Sequence, residues 1–227
     1  MTTEKLSTIT SFNDFKNSTN FQIDEYFSNK NLEELSTYEL AYIYLDTFFG
    51  RTSLKNCTVS TCLYDLIENT RASYNNVRTR IYTPLLGSFI ILDQLGSIFS
   101  DPSNPSTNGI NVILKLYGYD EITIQYLLAL RNGLMHDGSL TSLKQRPNQY
   151  NTIFRLSPDL DRTIKLSATE WDGVYHDDLT PYISKINSKR FFEEVLIIID
   201  LSKKELLCNN LSLKINDEKE FFYKFLF

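Results

Sequence analysis

Apolar residues along this chain recur mostly at helical spacing. Ser36 and Glu39 form a capping-box pattern, and Tyr38, Tyr42, Leu45 and Phe49 follow on one helical face, which predicts a helix over 37–49. A second stripe, Leu63, Leu66, Ile67, Tyr74, Val77 and Ile81, predicts a helix over 61–82. Thr83-Pro84 reads as an N-cap followed by Pro at the first helical position. Leu85, Leu86, Phe89, Ile90, Leu92 and Ile98 then make a strongly apolar helix over 84–99, with Asp93 as the one charge in its middle. Residues 100–109 (SDPSNPSTNG) read as a loop, and a short helix over 110–117 follows. Asp120 is the expected N-cap of a long helix carrying Ile124, Leu127, Leu128, Leu130, Leu134 and Met135. That helix is expected to end near Asp137-Gly138, where Gly takes the left-handed position.

The period changes over 149–171. Tyr150, Thr152, Phe154 and Leu156 alternate before Ser157-Pro158-Asp159, and Ile164 and Leu166 alternate with polar residues after it. Two period-2 runs around a Pro/Asp turn predict a β-hairpin. A last long helix is expected over 188–208 on Phe192, Val195, Ile199 and Leu206, and the tail over 217–227 (DEKEFFYKFLF) reads as a short amphipathic helix. Residues 1 to 20 are polar and expected to fray. The fold class is therefore mainly α: a bundle of four to six helices with a small β-hairpin inserted before the last long helix. The chain divides into a helical extension over 1–59, the bundle over 60–208 and an aromatic tail over 209–227.

Composition narrows the function classes. At 227 residues with 42% hydrophobic and 22% charged positions, the chain can bury a core without staples. The net charge is -5, which disfavours a protein that coats duplex DNA with its whole surface, but leaves room for a small basic cleft. Cys57, Cys62 and Cys208 fit no zinc spacing and read as reduced thiols of a cytoplasmic protein. The opening residues lack the pattern of a signal peptide, and the apolar stretch over 85–99 is too short and too interrupted to span a membrane.

The chemistry concentrates in LALRNGLMHDGSL, residues 128–140, which holds His136, one of 2 histidines. At about 100° per residue, Asn132 and His136 share a helix face, with Arg131 roughly 140° round from His136. Asn132 is placed to hydrogen-bond His136. Histidine moves a proton near neutral pH, and arginine matches phosphate oxygens with a planar, permanently charged fork. Together they suit phosphodiester cleavage without metal: the imidazole serves a ribose 2′-hydroxyl or the leaving 5′-oxygen, and the guanidinium stabilises the phosphorane. The competing structural account is a histidine favoured at a helix C-terminus by the dipole.

Arg131-Asn132-Gly133-Leu134-Met135-His136 resembles the R-N-x-x-x-H form of the HEPN motif, an Arg and a His four to six residues apart with a polar residue after the Arg. That motif occurs in toxin and abortive-infection ribonucleases and in RNA-targeting CRISPR effectors. The resemblance implies an up-and-down helical bundle, a homodimer whose motif helices share one RNA-cleaving cleft, Arg131 and His136 as catalytic residues, and Asn132 as an accessory. Some HEPN-like proteins bind RNA, nucleotides or proteins without cutting, so a non-catalytic module is the alternative, and an antitoxin or other protein partner is compatible with either.

Other candidates are weaker. Arg71, Arg78 and Arg80 read chiefly as a solvated face and, with Tyr74 and Tyr82 interleaved, also as the nearest approach to an RNA-binding phosphate stripe. Asp93 needs a cation, either Arg131 or one of the arginines between 71 and 80. Phe49-Gly50-Arg51-Thr52-Ser53 lacks the first glycine and the lysine of a phosphate loop, and His176-Asp177-Asp178 reads as a solvated loop. No cofactor and no metal are expected. A third reading is a helical interaction protein whose aromatic tail docks on a partner.

Overall fold

The computed structural model describes residues 9–104, 109–147 and 149–227, and about half of these are helical. The mainly α expectation holds. Thr19 and Ser36 open α1 (Asn20–Ser28) and α2 (Thr37–Tyr44) with capping boxes completed by Gln22 and Glu39. A ribbon of β1 (Arg51–Ser53) and β2 (Thr58–Ser60) leads into α3 (Cys62–Tyr74) and α4 (Thr83–Ile98). Then come β3 (Phe99–Ser100), α5 (Gly109–Tyr117) and α6 (Glu121–Asn132), which runs on into a π turn over Gly133–Asp137. After β4 (Thr141–Ser142), β5 (Thr152–Leu156), β6 (Ile164–Lys165) and β7 (Ile183–Ile186) come α7 (Ser188–Leu207), β8 (Ser212–Leu213), which pairs with β3, and α8 (Glu218–Phe225).

Helix α4 lies at the centre, packed against α3, α5 and α7. It is apolar on nearly every face, which is the signature of a helix surrounded by others, and Leu85, Phe89, Ile91, Leu92, Leu95 and Ile98 are all buried. One core cluster runs from Phe15 to Leu226, so the extension, the bundle and the tail share it. The tail packs on its own chain: Phe221 and Phe225 lie against Tyr44, and Leu226 bridges Thr61. That removes the motive for a docking tail.

Several expected elements differ. The hairpin at 149–171 is not formed. The sheet order is β4-β5-β7-β6, so β7 separates the two expected arms, with β5 parallel and β6 antiparallel to it. The Pro158-Asp159 bend belongs to a connection held by Asn187, whose Nδ2 donates to the carbonyls of Pro158 and Leu160. The helix expected over 61–82 ends at Tyr74, because Asn76 Oδ1 accepts the Arg78 amide and turns the chain. Val77 is consequently exposed, as is Ile81. The helix expected to reach Phe49 stops at Tyr44, where Asp46 Oδ1 accepts the Phe48 amide, and Phe49 is exposed. Thr83 lies inside α4, which has no side-chain cap. The loop over 100–109 falls partly outside the described residues; Ser100 belongs to β3 and Gly109 to α5. Of the tract expected to fray, residues 1–8 are outside the described part, while Phe12–Asn17 forms a 3-10 helix that buries Phe15.

No helix among the described residues is long and apolar enough to cross a membrane. All three cysteines are free thiols.

Candidate active site

Helix α6 begins where Asp120 Oδ1 accepts the Thr123 amide at 2.9 Å, and that bond holds the Asp120 carboxyl below its ordinary range. Ile124, Leu127 and Leu130 anchor the helix in the core, while Gln125, Leu128, Arg131 and Asn132 border an open cleft of about 370 Å³. Leu128 is therefore only half-buried, not the core residue its stripe suggests.

The π turn sets the direction of His136. A turn closed between i and i+5 holds an extra residue, so a side chain five positions on returns closer to the starting face. Arg131 and His136 accordingly line the same cleft rather than diverging as on a regular α-helix. Gly133 permits the turn: a Cβ there would lie 2.5 Å from the Thr141 carbonyl oxygen and 2.8 Å from that of Ser139. Gly138 ends it with φ 63, and its amide donates to Leu134 O while Ser139 donates to Gly133 O. The expected stop at Gly138 is thus observed.

Arg131 is clamped. Its Nε and Nη2 donate to the Asp93 carboxylate at 2.9 to 3.1 Å, and its Nη1 donates to Asn132 Oδ1 at 3.1 Å. The two side chains are 28% and 31% exposed, so the pair is shielded without being sealed. A guanidinium has more N–H groups than these bonds use, so an N–H on each terminal nitrogen remains for an anionic oxygen. Asp93 thus takes Arg131 from the two alternatives. Asn132 serves the arginine and not, as its spacing suggests, His136. His136 is exposed, and its side chain makes no hydrogen bond to the described residues.

The rest of the cleft lining comes from residues that no pattern in the sequence singled out for the site. Lys144, Gln145, Arg146, Gln149 and Tyr150 all border the cleft. Asn151 Oδ1 accepts the Lys144 amide, and Gln149 Oε1 accepts the amides of Gln145 and Arg146, which fixes the loop. Lys144 reaches Glu170 at a loose 3.5 Å, while the Arg146 side chain has no partner among the described residues. Tyr150 rests on the buried Tyr126 ring, centroids 4.9 Å apart and 33° between planes. Burial pushes the Tyr126 hydroxyl up. The available signal was the run Lys144-Gln145-Arg146 soon after the motif.

The other candidates lie elsewhere. Arg71 pairs with Glu68 at 2.6 Å and Arg78 is exposed on the turn after α3. Arg80 borders a separate cavity with Lys189, Arg190, Asp159, Asp161 and Glu193. None of the three borders the His136 cleft, although Tyr82, two residues after Arg80, donates its hydroxyl to the Gly138 carbonyl. Arg51–Ser53 is a strand of the β1–β2 ribbon, and His176 sits on an exposed loop with Nε2 2.7 Å from Asp172. Among the described residues no three His, Cys, Asp or Glu side chains gather as a metal site.

The cleft therefore brings together Arg131, Asn132, His136, Lys144 and Arg146, with Asp93 as the acid that borders it. No family model, no curated protein and no solved structure matches the chain.

Proposed function

We propose that this chain is a HEPN-type endoribonuclease that cuts single-stranded RNA without metal, built on a HEPN-like bundle in a cytoplasmic, toxin or defence setting. The observation that carries the reading is the company His136 keeps. An exposed, unengaged imidazole shares a cleft with three cations and a single bordering carboxylate in a protein of net charge -5. Cations concentrated against the overall charge fit a phosphate ligand.

In this reading Arg131 offers its remaining N–H groups to the scissile phosphate, and Arg146 and Lys144 hold the backbone beside it. The ribose 2′-oxygen attacks phosphorus and loses its proton to a base; the bond from phosphorus to the 5′-oxygen breaks, and that oxygen takes a proton from an acid. The products are a 2′,3′-cyclic phosphate and a 5′-hydroxyl. Each chain brings one such imidazole, so a two-fold dimer with both motif helices at its interface supplies the second. Asp93 positions Arg131 and keeps its fork from swinging into solvent.

A second reading is favoured by that same carboxylate. Asp93 offsets much of the Arg131 charge, which suits a module that binds RNA, a nucleotide or a protein partner, an antitoxin among them, without cutting.

The test is incubation of labelled single-stranded RNA and DNA of the same sequence with excess chelator. RNA fragments ending in 2′,3′-cyclic phosphate are expected, with DNA intact. Cleavage of DNA, or a strict need for added metal, sinks the reading. Light scattering is expected to give the mass of a dimer, and a monomer at micromolar concentration removes the shared site.

A further inference from the structure

Beside the motif, the cleft carries a feature that phosphate chemistry does not use. Tyr150 borders it, half-buried, with its ring laid on Tyr126 at 4.9 Å and 33°. Tyr126 is itself buried in the core face of α6, so the upper ring rests on an immobile one. The residues on either side of it fix the position: Asn151, the next residue, is buried and its Oδ1 holds the Lys144 amide. Gln149, the residue before, holds the amides of Gln145 and Arg146 through its Oε1. That leaves the Gln149 amide nitrogen as a donor at the cleft edge. An aromatic platform flanked by cations and side-chain amides is the composition that receives an unpaired nucleobase with its phosphates.

We infer that Tyr150 is a base-stacking subsite of this cleft: one base of a single-stranded RNA lies on the Tyr150 ring while the adjoining phosphates meet Arg146 and Lys144. The inference rests on the ribonuclease reading for its ligand class and goes beyond it by naming what selects single strands. A base held in a duplex is covered on both faces by its neighbours and does not reach the ring. Because every base has a π-face, the subsite is tolerant of sequence.

Binding is measured apart from cleavage. The probe is a short fluorescent single-stranded 2′-O-methyl RNA, which cannot supply the attacking hydroxyl. Its anisotropy is followed with the wild-type chain, with Tyr150→Leu and with Tyr150→Phe. Tyr150→Leu is expected to weaken binding by roughly 5- to 150-fold, the range that base–aromatic stacking supplies, and Tyr150→Phe to stay within about two-fold. A second probe with abasic sugars at every position keeps the phosphates and is expected to bind the wild type as weakly as the intact probe binds Tyr150→Leu. This arm decides even where Tyr150→Leu fails to fold. Duplexed probe is expected to bind weakly and to be indifferent to Tyr150→Leu. Equal binding of intact and abasic probes, or no binding of either, overturns the subsite. Where RNA is cut and the two probes bind equally, the subsite falls and the ribonuclease stands. Where binding depends on Tyr150 and RNA is never cut, the subsite stands and the chain is a binding module.

Discussion

The cleft beside α6 and the larger cavity at the start of α7 are both lined by cations, and they differ in what faces those cations. The α7 cavity, about 730 Å³, sets Arg80, Lys189 and Arg190 against Asp159, Asp161 and Glu193. The α6 cleft is half that volume, about 370 Å³, and sets Arg131, Lys144 and Arg146 against Asp93 alone among its bordering carboxylates. In the first, the acids equal the bases in number. In the second, three cations stand against Asp93 and, reaching Lys144 at 3.5 Å, Glu170, so among the described residues positive side chains remain in excess, and Asp93 is placed to aim one of the cations. In the proposed reading, cavity size does not locate the chemistry; the imbalance of charge around an unengaged imidazole does.

The largest difference between the two regions is expected on removing one arginine from each. Arg131→Ala is expected to lower the RNA cleavage rate by about 10²–10³-fold, the scale of losing a preorganised donor to a developing oxyanion. Arg80→Ala is expected to change it less than about two-fold. Arg131→Lys restores part of the loss, because the ammonium keeps the charge and loses the fork. Equal losses from Arg80→Ala and Arg131→Ala in a gel assay would erase the distinction between the two regions.

Stability separates chemistry from fold damage. Leu127→Ala, at a fully buried position of α6, is expected to cost about 2–5 kcal/mol in denaturant unfolding. His136→Ala, on an exposed side chain, is expected to cost about 1 kcal/mol or less. A His136→Ala chain that melts like Leu127→Ala would make His136 a structural residue.

Next in size is the clamp. Asp93→Ala frees Arg131 and is expected to slow cleavage by roughly 10- to 100-fold, chiefly in kcat, as expected for losing hydrogen bonds to a charged group. Asp93→Asn keeps an acceptor and recovers part of the rate. Asp161→Ala, the counterpart in the α7 cavity, is expected to do nothing measurable. If Asp93→Ala speeds the reaction instead, the carboxylate restrains the arginine's charge rather than aiming it.

The smallest effects belong to the loop cations. Lys144→Ala and Arg146→Ala are each expected to weaken RNA binding uniformly across sequences and to lower the salt slope by about 0.7. Arg71→Ala and Arg78→Ala are expected to leave the slope unchanged. A slope that responds to the second pair and not the first would move the phosphate path to the turn after α3.

The sequence made the helices legible where a local signal marks both ends. Asp120 and Gly138 bracket the motif helix as their side chains and backbone require. The long apolar run of α4, interrupted by Asp93 and Gln94 in its second half, announces a helix packed against others on most of its faces. The sheet was less legible because β5 and β7 meet only after a long connection: alternation reveals strands and says nothing of partners. The same limit misplaced the stripe of Arg71, Arg78 and Arg80, since spacing assumes the helix continues and Asn76 ends that assumption. In the site, the motif side chains were readable and the facing wall was not. Lys144 and Arg146 are loop charges with no periodicity, and only the return of the chain through β4 and β5 brings them opposite His136. Nor does residue spacing foretell a π turn; it assumed 100° per residue and so pointed Asn132 at the histidine, where the structure gives it to Arg131.

The proposed reaction needs His136 to move a proton in this cleft. Its most direct measurement is the turnover of single-stranded RNA by wild type and by His136→Ala, at equal concentration, in excess chelator, with matched melting curves. Cleavage by the wild type is expected, with a rate lower by about 10²–10⁴-fold in the variant and RNA binding retained. Undiminished cleavage by a folded His136→Ala chain would contradict it.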